Sequence, residues 1–189
     1  MSFIRYSRVA IVGASATGKT QLAAAVAHAL DVPCIELDDV RWDGGRTATD
    51  EEFAQRVNAA THGHGWVIEG VEVSRPVREA WDRADAVVWL DHSRVGLLIR
   101  MTWGTSWIRG FGPEEPRGRL EYVPYLLRKM RRSWQQATQL RGELPTALSM
   151  LPAHGVNVVR LRSVRATRRW RASMESAGRC VPRNAMTDP

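Results

Sequence analysis

The segment Gly13 to Thr20, GASATGKT, constrains this chain more than any other part of it. It has the Gly-x4-Gly-Lys-Thr spacing of a phosphate-binding loop. Glycines let the backbone turn tightly and bring N–H groups to an anion. The apolar run Val9–Val12 precedes the loop. A helical pattern, KTQLAAAVAHAL, follows it, with Leu22, Val26, Ala29 and Leu30 on one face. Strand, loop and helix in that order present the helix's positive end to a phosphate. On this spacing Gly13, Ala14, Ser15, Ala16, Thr17, Gly18, Lys19 and Thr20 form the cradle of a nucleoside triphosphate. Lys19 is expected on the β- and γ-phosphates and the Thr20 hydroxyl on magnesium.

Short apolar runs continue to alternate with helical patterns. PCIEL (33–37) precedes TDEEFAQRVNAA, where Thr49 and Glu52 have capping-box spacing. WVIEG (66–70) precedes a helix expected from about Pro76 to Ala84. AVVWL (86–90) precedes a helix opened by Ser93, and VNVVRL (156–161) a last helix near 164–174. Apolar runs without alternation read as strands covered on both faces. The pattern therefore predicts an α/β fold with a parallel five-stranded sheet and helices on both sides. Ligands in such folds bind beyond the carboxyl ends of the strands.

Residues 104–123 break the rhythm, being rich in Gly, Pro and Arg with no clear period. A connection of that length is expected to be a lid or disordered. PYLLRKMRRSWQQATQL then reads as a basic amphipathic helix with Leu126, Met130 and Trp134 on its apolar side. Arg128, Lys129, Arg131 and Arg132 crowd the rest of it. A shorter helix is expected over 145–153, and a disordered tail from about Ser176. One domain, 1–175, accounts for the 189 residues, of which 44% are hydrophobic.

The N-terminal segment MSFIRYSRVAIVG is expected to carry no secretory leader, since its apolar run is only Val9 to Val12. No run approaches the ~20 apolar residues of a membrane span. Cys34 and Cys180 have no disulfide or metal spacing, and Cys34 is expected to be a small core residue in a reducing cytoplasm. The net charge of +7 is uneven. Residues 1–91 carry 9 Lys/Arg against 14 Asp/Glu, and residues 92–189 carry 18 against 6. A basic C-terminal half suits a polyanion, either nucleic acid or the phosphates of a nucleotide.

A magnesium triphosphate site calls for carboxylates, and three strand ends supply them. Asp38 and Asp39 follow PCIEL, Glu69 ends WVIE, and Asp91 ends VVWL. Glu69 is the candidate to organise magnesium, and Asp38 the candidate to orient or deprotonate an acceptor hydroxyl. Asp39 is a weaker alternative, and Asp91 is expected to be a structural cap before Ser93. His62 and His64, in THGHG, read as plain loop residues.

The ordered set IVGASATGKT, ELDDVRW, GWVIEG, ADAVVWLD and VVRLRS resembles the adenylate kinase-like P-loop kinases. Within them it is most similar to the bacterial DNA topology modulation (FlaR-like) proteins. The resemblance runs from about Arg8 to Trp170. It implies a P-loop NTPase three-layer sandwich with a short arginine-rich lid at about 104–120. It implies that Asp38 is the strand-2 aspartate, with Trp42 at the matching aromatic, and that Glu69 organises magnesium and its water. It implies that Arg100 packs on adenine and that Arg162 and Ser163 line the base. Arg109, Arg117 and Arg119 are its lid candidates. The group usually shows DGNY where this chain has EGVE, and a longer acidic and aromatic lid where this chain has PEEPRGRLEY.

Three functions follow as expectations. The first is a phosphotransferase using Mg-ATP, with Lys19, Asp38, Glu69 and Arg100 at the chemistry and a nucleotide, nucleoside or other small hydroxyl compound as acceptor. The second is a nucleotide-binding protein linked to nucleic acid through the basic half. The third, suggested by EGVE, is an ATP-binding module with little turnover.

Overall fold

Strand β1 (Arg8–Gly13) lies at the centre of the sheet, and its side chains alternate between two cores. Val9 and Ile11 point to one face, Ala10 and Val12 to the other. This is a computed structural model, and it describes residues 6–43, 45–93 and 119–178.

The remaining sheet strands are β2 (Cys34–Glu36), β5 (Trp66–Gly70), β6 (Ala86–Leu90) and β7 (Asn157–Leu161). Their order is β2-β5-β1-β6-β7, and every pairing is parallel. Between β2 and β5 the short helix α2 (Leu37–Arg41) leads into a two-stranded antiparallel ribbon, β3 (Trp42–Asp43) with β4 (Arg46–Thr47).

Helices cover both faces, as the uninterrupted apolar runs require. On one face α1 (Lys19–Leu30) contributes Leu22, Ala23, Val26 and Ala27, and α6 (Val164–Gly178) contributes Met174. On the other, α3 (Asp50–Ala60), α4 (Arg75–Asp82) and α5 (Arg119–Ser149) pack Phe53, Val57, Val77, Trp81, Leu140, Leu144 and Leu148 against Trp66, Ile68, Val87 and Trp89. The capping box forms as expected. Glu52 N donates to Thr49 Oγ1 at 3.2 Å, and Thr49 N donates to Glu52 Oε2 at 2.9 Å. Arg46, then the Thr49 amide, pull the Glu52 carboxyl down to about 2.

Four expectations are corrected. Cys34 is exposed, because β2 is an edge strand paired only with β5. The segment expected to split into two helices is one, α5, which runs through Pro145 and ends in a 3-10 turn at Leu151–His154. Proline in a helix interior costs about 3 kcal/mol, but Leu140, Leu144 and Leu148 lie in one core and hold both halves to the sheet. Among the described side chains of α5 the buried face is Ser133, Ala137, Leu140, Leu144 and Leu148, whereas Trp134 is 42% exposed and the side chain of Leu126 is not described. The last helix, expected near 164–174, continues to Gly178, and the rest of the expected tail, 179–189, lies outside the described residues. No helix among the described residues is long and apolar enough to cross a membrane.

Candidate active site

The phosphate loop joins β1 to α1, so the strand end and the first helical turn fix both of its ends. Gly18 has φ 92° and Ala16 has φ 63°, both left-handed. Glycine adopts that conformation freely, whereas a residue with a Cβ is disfavoured by about 1–2 kcal/mol. Successive turns of this kind make the concave row of amides that holds a phosphate. Thr17 is buried and donates its hydroxyl to Ala14 O at 2.7 Å, closing the loop from inside.

Lys19 is buried, and its Nζ donates to Ala14 O at 3.3 Å. Burial lowers its pKa, and the charges of Glu69, Asp38 and Glu36 oppose that shift. Three carboxylates therefore stand close enough to be felt by one ammonium group. Parallel pairing explains two of them, because Glu36 and Glu69 are register partners on β2 and β5 and Ile11 of β1 is the next partner in the row. Asp38 follows in the first turn of α2, exposed to solvent, as is Asp39. Gly70 seats that helix, since a Cβ there would stand 2.6–3.1 Å from three side-chain carbons of Leu37.

Glu69 is 6% exposed and accepts the Thr20 hydroxyl on Oε1 at 2.7 Å. Its Oε2 is buried and has no hydrogen-bond partner. A buried carboxylate oxygen left unpaired is costly, and a hard cation would satisfy it. A hydroxyl and a carboxylate oxygen are donors of the kind Mg2+ takes, so the residues present fit that ion.

Glu36 was not singled out from the sequence. Its pKa is raised by burial, then by Glu69, Asp39 and Asp38, with Lys19 opposing. The signal that could have found it is its place at the end of PCIE, in line with Glu69 at the end of WVIE. The structure also brings helix α5 to the loop. Ser15 N and Oγ donate to Gln136 Oε1 at 3.3 and 2.8 Å, and Ser133 Oγ donates to Ser15 O at 2.9 Å.

The other sequence candidates lie apart from this cluster. Asp91, 8% exposed in its side chain, accepts from Arg141 Nε at 2.7 Å and from Arg160 Nη2 at 2.6 Å. It ties β6 to α5 and β7, and the helix expected to open at Ser93, which it was expected to cap, lies outside the described residues. Arg162 and Ser163 follow β7, two strands from β1, and both are exposed. Ser163 Oγ accepts from Ala166 N at 3.1 Å, a helix-capping contact at the start of α6. His62 and His64 are exposed in the turn after α3, and no cluster of metal-ligating side chains occurs among the described residues. Arg100, Arg109, Arg117 and most of the expected lid lie outside the described residues, and the side chain of Arg119 is not described.

A parallel five-stranded sheet between two helical layers, with the phosphate loop after the central strand, defines the P-loop NTPase fold. No protein-family model matches the sequence, and no curated protein matches it. Solved structures do. The chain is similar to a gluconokinase from Sinorhizobium meliloti 1021 at 17% identity and a TM-score of 0.52, over 92% of this chain and 91% of that one. A shikimate kinase from Acinetobacter baumannii, in complex with shikimate, matches at 16% identity and 0.54, over 91% of this chain and 92% of that one. A shikimate kinase from Bacteroides thetaiotaomicron matches at 18% identity and 0.50, over 93% and 96%. At such identities the likeness establishes the fold, and function must be argued from the site.

Proposed function

We propose that the chain is an ATP-dependent small-molecule kinase, carrying the γ-phosphoryl group of Mg-ATP to a nucleotide, a nucleoside or another small hydroxyl compound. One observation carries this reading: Glu69, whose charge acts on Lys19, accepts the Thr20 hydroxyl on Oε1 and keeps a buried Oε2 with no partner. The similar kinases support the coarser statement, a P-loop phosphotransferase with a small-molecule acceptor; a cytoplasmic compartment is part of the proposal. The finer likeness to the DNA topology modulation proteins rests on the sequence segments alone.

In this reading the amides of the Gly13–Thr20 loop that are not already bonded within the protein, together with the Lys19 ammonium, hold the triphosphate. Thr20 and Glu69 hold Mg2+, which when bound offsets the charge on the β- and γ-phosphates. Asp38, exposed at the start of α2, orients the acceptor hydroxyl and accepts its proton. The acceptor oxygen forms a bond to the γ-phosphorus. The bond from that phosphorus to the β–γ bridging oxygen breaks, and its electron pair leaves with ADP. Lysine and loop amides aimed at the transferred group stabilise the charge that develops on it. Arg100 and the arginines of 104–120 are proposed to cover the nucleotide, with Arg162 and Ser163 beside the base.

The test is to incubate the chain with Mg-ATP and a panel of nucleoside monophosphates, nucleosides, sugars and sugar acids. At least one acceptor is expected to accelerate ADP formation about 100-fold or more over a Lys19→Ala control. Equal rates across the whole panel would leave the kinase reading without support. Tight Mg-ATP binding with no transfer would favour the ATP-binding module suggested by EGVE.

The exposed Arg128, Arg131 and Arg132 of α5 favour a second reading, nucleotide binding linked to nucleic acid. That reading expects duplex binding that weakens steeply between about 50 and 200 mM salt.

A further inference from the structure

Ser15 is held on both sides of its backbone by helix α5. Its N–H and hydroxyl both donate to Gln136 Oε1, at 3.3 and 2.8 Å, and its carbonyl accepts the Ser133 hydroxyl at 2.9 Å. Ser133 is 1% exposed, so this contact is shielded from water. The next residue, Ala16, takes the left-handed conformation that a side chain disfavours. Such a conformation persists where its surroundings over-determine it. On the far side of Ala16, Thr17 is tied to Ala14 by backbone and hydroxyl. Ala16 therefore stands between two anchored residues, and one of the anchors is supplied by α5.

We propose that Gln136 and Ser133 are positioning residues for the triphosphate. Resting on the proposed function, this assigns them the task of keeping Ser15 and Ala16 in the geometry that turns the Gly18 and Lys19 amides toward phosphate. Docking of the helix does not require them. Ala137, Leu140, Leu144 and Leu148 already bury α5 against the sheet. Gln136 is a polar addition where α5 meets the loop. The contact also sets where the basic stretch of α5 stands. Arg132 is exposed and lies one helical turn, about 6 Å along the axis, from Gln136. The clamp thus fixes phosphate-binding amides and a positive helix segment relative to each other.

The experiment is a Mg-ATP titration of wild type, Gln136→Leu, Ser15→Ala and the double variant, repeated with tripolyphosphate as a probe lacking the nucleoside. Thermal unfolding of each is measured alongside. Gln136→Leu is expected to bind Mg-ATP about 5- to 30-fold more weakly and to lose tripolyphosphate affinity in parallel. Its melting temperature is expected to stay within a few degrees of wild type. Ser15→Ala keeps its N–H bond to Gln136, so its loss is expected to be smaller. The double variant is expected to bind no worse than Gln136→Leu alone, because one contact is being removed twice. Affinity for Mg-ATP within about twofold of wild type, strict additivity, or an affinity loss that tracks a collapse in melting temperature would each overturn the proposal. A wild-type chain that binds no Mg-ATP would bring down the proposed function as well, and that failure shows before any variant is tested.

Discussion

The Thr20 hydroxyl donates to Glu69 Oε1 at 2.7 Å, joining the first turn of α1 to the end of β5. Two residues 49 positions apart thereby share one oxygen-lined site, in which the second carboxylate oxygen has no protein partner. Glu69→Gln keeps the shape and the Thr20 bond but removes the charge. Mg2+ is expected to tighten ATP binding at least about 10-fold less in this variant than in wild type. Binding of metal-free ATP is expected to change little, and paired titrations with and without Mg2+ check both statements.

Gly70→Ala tests how the acceptor side is seated. Its Cβ would come within 2.6–2.8 Å of Leu37 Cδ1 and Cβ, so α2 must shift and carry Asp38 with it. A stability loss of about 1–3 kcal/mol is expected in urea. Transfer to an acceptor is expected to fall more than Mg-ATP affinity does, because the clash falls on Leu37 of α2, the helix that carries Asp38. Equal losses in both would place the disturbance elsewhere.

Asp91→Ala separates scaffold from chemistry. Asp91 neutralises Arg141 and Arg160, the latter stacked over the Trp89 ring at 4.1 Å. Both arginines are partly exposed, which discounts the cost of leaving them unpaired, and a loss of about 1–3 kcal/mol is expected. Mg-ATP affinity, measured well below the melting point, is expected to stay within about threefold.

Glu36 makes stability depend on pH in a direction that can be worked out. Burial, and then Glu69, Asp39 and Asp38, raise its pKa above the ordinary glutamate value. The folded chain thus holds that proton more tightly than the unfolded chain. Its contribution is full below the unfolded pKa and is lost as pH rises through the raised folded pKa. Glu36→Gln removes the loss. It is expected to stabilise the metal-free protein by about 0.2–1 kcal/mol near pH 7 and to give no gain near pH 4. Urea melts at the two pH values check the sign.

What was legible in the sequence was local. The phosphate loop, the apolar runs of the five sheet strands, the Thr49–Glu52 capping box and the strand-end carboxylate Glu69 all show in windows of a few residues. Glycine spacing, unbroken apolar runs and cap residues act on the backbone within a turn or a strand, so their order along the chain carries the fold. The helical continuity of α5 was not legible, because Pro145 argues for a break and only the cover of Leu140 and Leu148 overrides it.

Tertiary structure alone decided which distant residues meet. Glu36 joins Glu69 because β2 pairs with β5, and Cys34 faces solvent because that pairing leaves β2 at the edge. Asp91 meets two arginines, and Ser15 meets Gln136, across 50 to 121 positions of chain. Parallel strands and the helices that cover them are joined by long crossovers. Which side chains end up side by side is therefore set by register and packing.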